Sequence, residues 1–347
     1  LVTLDYPPER GGVARYLGNL IRVAAGGIET VYVPEEHACV GPGQVVNARF
    51  VWPHWPRWAP LLLFFKRLGK QTSVPLVFIS HVLPVGTAAW MTSFFGGPRY
   101  AILLHGLDLR LAVSSRRKRF LLKYILKRAR AVFTNSGFVA QEVRAVFPEL
   151  APITVSPGVE PQMFVDREVA RTHFLISRET IQLLAVTRLV PRKGIDRLIE
   201  ALAFLPPQIH LTVIGRGTDE GRLRELASSY GDRIRFETQV EDMERNTWYA
   251  ASDIFVLPTR EERMDVEGFG IVFLEAGLAG LPVIGGHGGG VDEAILEEET
   301  GLLVDPQDPR AIAAAIQRLC DDRALAARLG NQGRKRAERD FQWQDRW

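Results

Sequence analysis

The chain has 347 residues, 46% of them hydrophobic and 24% charged, with a formal net charge of +3. That length is generous for one hydrophobic core and comfortable for two, and the composition is that of a globular protein. No run of about eighteen uncharged apolar residues occurs, which excludes a long apolar helical span, and two cysteines, Cys39 and Cys320, exclude a disulfide framework and fit a reducing cytoplasm.

In chain order, residues 1–4 read as a strand entered part-way, without the basic start and cleavage site of a signal peptide. Residues 13–23 follow as a helix. Buried strands are expected at 74–80, 100–104, 131–135 and 153–156, with a basic helix at 115–130. Two prolines and a glycine in Ser156-Pro157-Gly158-Val159-Glu160-Pro161 then break the periodicity. After about residue 165 the pattern restarts, with strands at 181–187, 209–214, 234–237, 254–257 and 282–284. Helices are expected at 196–203, 219–230 and 273–279, and beyond Pro306 the chain is helical with Ile312, Ala315, Ile316 and Leu319 on one face. Strands alternating with helices imply parallel sheets covered on both faces, and the restart implies two such units. The expected division is 1–164, 165–330 and a closing helix that starts in 331–347 and crosses back to the first domain. Charge divides likewise: residues 1–164 carry +10 and the remainder −7.

Ligands of open parallel sheets sit beyond the carboxyl ends of the strands, so residues just after strands are the candidates for chemistry. Foremost is Glu267-Gly268-Phe269-Gly270-Ile271-Val272-Phe273-Leu274-Glu275. Its glycines allow close backbone approach, and the helix start behind them offers free N–H groups to a diphosphate. Glu267 is placed to accept from sugar hydroxyls and Glu275 to hold a ribose; the competing reading is a capped amphipathic helix with solvated carboxylates. Arg188-Leu189-Val190-Pro191-Arg192-Lys193-Gly194 follows a strand directly, so Arg188 and Lys193 are candidates to stabilise a departing phosphate. Here the alternative is a solvated basic turn.

Pro7-Pro8-Glu9-Arg10-Gly11-Gly12-Val13 feeds a helix after the opening strand, and Gly12 is expected near a phosphate or an acceptor. His105-Gly106-Leu107-Asp108 exposes a histidine at a strand end, where His105 is a candidate sugar or proton-transfer contact. His81 has the same opportunity with less support. Gly215-Arg216-Gly217 lacks the third glycine of a dinucleotide fingerprint, which disfavours a nicotinamide dehydrogenase; Gly215 is assigned instead to the nucleotide side. There is no Asp-x-Asp triplet and no metal-ligand cluster in the sequence, so neither metal nor cofactor is expected.

These ordered motifs resemble the retaining glycosyltransferases of family 4. The resemblance runs from Asp5-Tyr6-Pro7-Pro8 to about Arg310 and includes Asn135-Ser136 and Thr300-Gly301-Leu302-Leu303-Val304. It implies an α/β, GT-B chain: two Rossmann-like parallel-sheet domains facing a central cleft. It also implies that Arg188 and Lys193 bind the donor diphosphate, Glu267 the sugar and Glu275 the ribose. Gly215, Gly268, Phe269, Gly270 and Ile271 would complete the donor site, with His105 touching the sugar and Gly12 beside the phosphate or acceptor. The expected donor is a nucleotide-sugar, with a lean to GDP-mannose over UDP-sugars. The expected acceptor is a glycan or lipid-linked molecule of the cell envelope. The chain departs from the family pattern in its long charged segment 259–266 and in its glycine run around His287.

Residues 110–130, from Arg110 to Arg130, hold nine Lys/Arg and no acid. On a helical wheel Phe120, Leu121, Tyr124, Ile125 and Leu126 fall away from much of the charge. Such a helix fits anionic lipid at the inner face of the plasma membrane, each cation contributing about 1 kcal/mol. Trp52, Trp55 and Trp58 ahead of the apolar run 61–65 would suit the same interface. The alternative is a helix that buries its apolar face and leaves its charge in water. Competing functions are a nucleotide-sugar 2-epimerase of the same plan and a sugar-binding protein with a decayed site. Nucleic-acid binding is disfavoured by the acidic second half.

Overall fold

The computed structural model describes residues 1–7, 12–24, 27–35, 41–52, 54, 56–71 and 76–346. It divides into two compact units, Leu1–Gly158 with Trp343–Trp347, and Val159–Gln342.

In the first unit, β1 (Thr30–Pro34) pairs in parallel with β2 (Gln44–Ala48). β3 (Val77–Ile79), β4 (Tyr100–Leu104), β5 (Val132–Thr134) and β6 (Ile153–Thr154) form a second parallel set in that spatial order. Val2 makes single parallel bridges to Tyr32 and Ile79, which join the two sets. β4 is buried along its whole length, as a central parallel strand covered on both faces must be, and its uninterrupted apolar run provides for that. β1 and β2 were not foreseen. β2 is only half buried and carries Gln44 and Asn47, so no apolar run marks it. The strand expected to be buried at 153–156 is instead two exposed residues at the sheet edge.

The basic helix spans Arg116–Arg128, because Ser115 caps it by accepting from the Lys118 amide and Ala129 turns extended. Its packing corrects the helical-wheel expectation. Leu122, Ile125 and Leu126 are buried, whereas Phe120 and Tyr124 stand exposed beside the charges. Of the tryptophans, Trp52 is exposed and Trp58 packs against the core; Trp55 lies outside the described residues.

In the second unit, six parallel strands lie in the order β12-β11-β10-β7-β8-β9. They are β7 (Ile181–Val186), β8 (Ile209–Ile214), β9 (Ile234–Glu237), β10 (Ile254–Leu257), β11 (Val283–Gly286) and β12 (Gly301–Val304). Chain order reverses between β7 and β10, so a crevice opens beyond their carboxyl ends, where the flanking loops leave in opposite directions. The segment expected to begin a closing helix at 331 is instead the second half of a continuous helix, Arg323–Asp340, belonging to this unit. Asp322 caps it by accepting from the Leu325 amide. Only the residues from Trp343 onward group with the first unit, where the Trp343 ring meets Tyr16 edge-on at 5.4 Å.

Candidate active site

The reversal point between β7 and β10 receives both main motifs. After β7 the chain makes a one-turn helix, Pro191–Lys193, ended by Gly194 in the left-handed region at φ +67°. A Cβ at Gly194 would lie 2.0 Å from the Pro258 carbonyl oxygen, so only glycine lets this turn press against the end of β10. The charged segment after β10 is tied down. Arg260 grips Asp196 with both terminal nitrogens at 2.8 and 3.1 Å, and its amide donates to the Arg192 carbonyl at 2.8 Å. The chain then reaches Glu267, and Gly270, at φ +92°, starts the helix Ile271–Leu278 with no side chain capping it.

Lys193 Nζ and Arg192 Nη1, the latter at 2.8 Å, both donate to Glu267 Oε2, while Arg192 Nε lies 2.9 Å from Asp265 Oδ2. The Lys193 and Glu267 side chains are only 11% and 14% exposed. Burial by itself would raise the Glu267 carboxyl, but Lys193 and Arg192 outweigh it and hold the pKa at about 2. For Lys193 burial prevails, lowering its pKa despite Glu267, with Arg192 and Arg188 adding to the fall. Arg192 moves upward, because Glu267 and Asp265 together exceed its burial. Two cations thus face two carboxylates. Arg188 is exposed, has no side-chain partner among the described residues, and is the surplus cation of the group. Glu267 Oε1 accepts no hydrogen bond there.

Glu275 lies one turn into the helix, 3% exposed, and accepts from the Tyr249 hydroxyl at 3.2 Å. Phe269 belongs to the core, its ring 5.6 Å from that of Phe341, so any ligand contact it makes is through its backbone. Gly268 is buried, Ile271 is half buried, and Gly215 follows β8 at the carboxyl edge of the same sheet. Sequence reasoning assigned no role to Arg192, Asp265 or Tyr249. The first two lie inside segments it had singled out, but nothing in their spacing marks them as partners of Glu267. A cavity of about 350 Å³ lies elsewhere, beside Asp253 and Pro282, which precede β10 and β11.

In the first unit His105 follows β4, and its ring meets Tyr16 edge-on at 5.5 Å. Burial lowers its pKa to about 3, with His81 adding to the effect and Asp5 opposing it, so the imidazole is neutral at physiological pH. Its Nε2 is enclosed and has no hydrogen-bond partner among the described residues. Asp108 holds the turn by accepting from the His105 and Leu109 amides, both at 3.0 Å, and burial raises its own pKa to about 6. His81 donates toward Asp5 Oδ2 across 3.3 Å. Gly12 is the exposed first residue of the helix Gly12–Val23; Pro8, Glu9, Arg10 and Gly11, just before it, lie outside the described residues. Among the described residues no three His, Cys, Asp or Glu are grouped to hold a metal ion.

Comparison with known proteins agrees with this plan. The profile of the glycosyl transferases group 1 matches residues 166–336, and that of glycosyltransferase family 4 matches 10–162. The chain is 32% identical to a GDP-mannose-dependent alpha-(1-6)-phosphatidylinositol monomannoside mannosyltransferase of Mycolicibacterium smegmatis, over 100% of this chain and 95% of that protein. The enzyme of the same name from Mycobacterium tuberculosis H37Rv is 30% identical over 99% and 94% of the two chains. Among solved structures, a sucrose-phosphate synthase of Thermosynechococcus elongatus superposes with a TM-score of 0.84 at 25% identity, covering 99% of this chain and 94% of that one. With two parallel-sheet units, the expected motifs at strand ends and full-length relatives of this kind, the chain belongs to the family 4, group 1 glycosyltransferases of GT-B fold.

Proposed function

We propose that the protein is a retaining mannosyltransferase that takes its sugar from GDP-mannose, without a metal ion, and passes it to a lipid-linked acceptor. The observation that carries this reading is the meeting of Arg188, Lys193 and Glu267 with the uncapped helix that bears Glu275, at the reversal point of the second sheet. Arg188 and Lys193 bind the donor diphosphate. Lys193 exchanges its Glu267 contact for a phosphate oxygen, and the free amides of Gly270 and Ile271 add to the positive field. Glu267, already ionised, then accepts from sugar hydroxyls, and Glu275 holds the ribose. Gly215, Gly268 and the backbone of Phe269 border the nucleotide.

In the transfer step the bond from C1 to the phosphate oxygen breaks and a bond from C1 to the acceptor oxygen forms on the same face. The acceptor's hydroxyl proton passes to the departing phosphate, which leaves as GDP. His105, neutral, contacts the sugar, and Gly12 borders the phosphate or acceptor. The names of the mycobacterial relatives support the choice of GDP-mannose and of a phosphatidylinositol-type acceptor. Arg116, Arg117, Lys118 and Arg119, exposed and without ion-pair partners among the described residues, support contact with an anionic membrane at its cytoplasmic face.

A thermal-shift panel of GDP-, UDP- and ADP-sugars tests the donor: GDP-mannose is expected to raise the melting temperature most, and less so for Glu275→Ala. Mannose transfer to extracted phosphatidylinositol lipids, in buffer with EDTA, tests the acceptor and the metal. Stabilisation by UDP-sugars alone would overturn the donor assignment.

A further inference from the structure

One surface of the first unit is left over by this chemistry. The helix Thr87–Thr92 ends in a turn that carries Phe94 and Phe95, 54% and 79% exposed. This turn does not stand alone. The Trp90 ring meets Phe94 edge-on at 5.5 Å and lies 6.4 Å from Tyr124, which in turn is 4.7 Å from Phe120. Phe120 is 64% exposed, and with Tyr124 it extends the aromatic strip along the basic helix Arg116–Arg128. Arg128 lies over the Phe94 ring at 4.1 Å while its Nε donates to Ser93 Oγ at 2.6 Å, which fixes the turn to that helix.

Cations flank the strip on both sides. On one side stand the exposed Arg116, Arg117, Lys118 and Arg119. On the other stand Lys66, Arg67 and Lys70, at the end of the helix Pro60–Leu68 and just past it. That second group is held against the turn, since a Cβ at Gly69 would lie 2.2 Å from the Gly96 carbonyl oxygen. None of these seven cations has an ion-pair partner among the described residues; Glu149 answers only Lys123 and Lys127. Water is a poor solvent for four neighbouring exposed aromatic rings, and a polar protein partner would leave them unburied. An anionic bilayer satisfies both features at once: rings enter the headgroup layer, and cations stay at the phosphate level.

Resting on the membrane reading above, we infer that the Phe94–Phe95 turn, with Phe120 and Tyr124, is an aromatic wedge that inserts into an anionic lipid surface. The basic residues on either side bring the wedge to the surface, and the rings make the attachment persist in salt.

Sedimentation with phosphatidylcholine vesicles, with and without phosphatidylglycerol, tests the inference. The wild-type protein should bind only the anionic vesicles and keep part of that binding in high salt. Phe94→Ser with Phe95→Ser should weaken partitioning by about tenfold or more and remove the salt-resistant part. Replacing Arg116, Arg117, Lys118 and Arg119 by Gln should weaken binding at low salt. Phe95→Ser alone should melt like the wild type and still bind less. If the phenylalanine variants bind like the wild type while the glutamine variant does not, the wedge is overturned and the membrane reading stands. If the wild type ignores anionic vesicles, both fall. A wild-type dimer that Phe95→Ser turns into a monomer also overturns the wedge, because a second copy would then cover it.

Discussion

The two units treat their charges in opposite ways. In the second, most cations around Glu267 are enclosed and answered, Arg192 and Lys193 by Glu267 and Asp265 and Arg260 by Asp196, while Arg188 stands exposed beside them. In the first, the run of cations Arg116–Arg119 is exposed and has no ion-pair partner among the described residues, and exposed aromatic rings lie beside it. Enclosed, balanced charge is costly to assemble and holds one geometry, which suits the proposed binding of one pyrophosphate. Open, unbalanced charge costs little to fold and can meet a large and variable surface. Under the proposed function, the contrast separates a preorganised donor-binding unit from a unit whose surface meets a membrane.

The largest effect should come from Lys193→Ala. It removes a buried cation from the proposed leaving-group site and should lower turnover by about 10²- to 10³-fold in a radiolabelled transfer assay. Retained turnover would reduce the Lys193–Glu267 pair to a structural ion pair. Next is Gly194→Ala, where the left-handed backbone and the 2.0 Å approach to Pro258 oxygen both oppose a side chain. Urea unfolding should show a loss of about 3 kcal/mol.

The pH response of the second unit should be smaller and one-sided. The Glu267 carboxyl falls from an ordinary 4.5 to about 2 in the folded state. Its contribution is therefore complete above about pH 4.5 and disappears as pH falls toward 2. Melting curves of Glu267→Gln should lack that acid-side decline. The smallest effect belongs to the first unit. Arg119→Gln should shift the unfolding free energy by less than about 0.5 kcal/mol, since an exposed cation without a partner contributes nothing to the fold. A larger loss would mean that the basic helix is integral to its own unit, and the contrast would weaken.

The elements most legible beforehand were those with a continuous apolar run or apolar residues alternating with polar ones. Ile209–Ile214, Ile234–Glu237, Ile254–Leu257 and Tyr100–Leu104 fall on the expected residues. Gln44–Ala48 went unseen because a half-exposed strand with polar residues has no such run, and the exposed Ile153–Thr154 was read as buried for the converse reason. Motif positions were equally legible, because a glycine or a charged residue directly after a buried run marks the edge of a sheet where a ligand can approach.

What sequence alone determined, then, is which segments would be strands and helices and which residues would stand at their ends. Tertiary structure alone decided the partners. Glu267 meets Lys193 and Arg192 across more than seventy residues, Glu275 meets Tyr249 from another helix, and Phe94 meets Arg128 from a helix that follows the next strand. Hydropathy periodicity records how each segment faces the core, a local property. Strand order and helix docking set which segments become neighbours, and only those contacts turned scattered charges into a balanced site in one unit and an open aromatic and basic surface in the other.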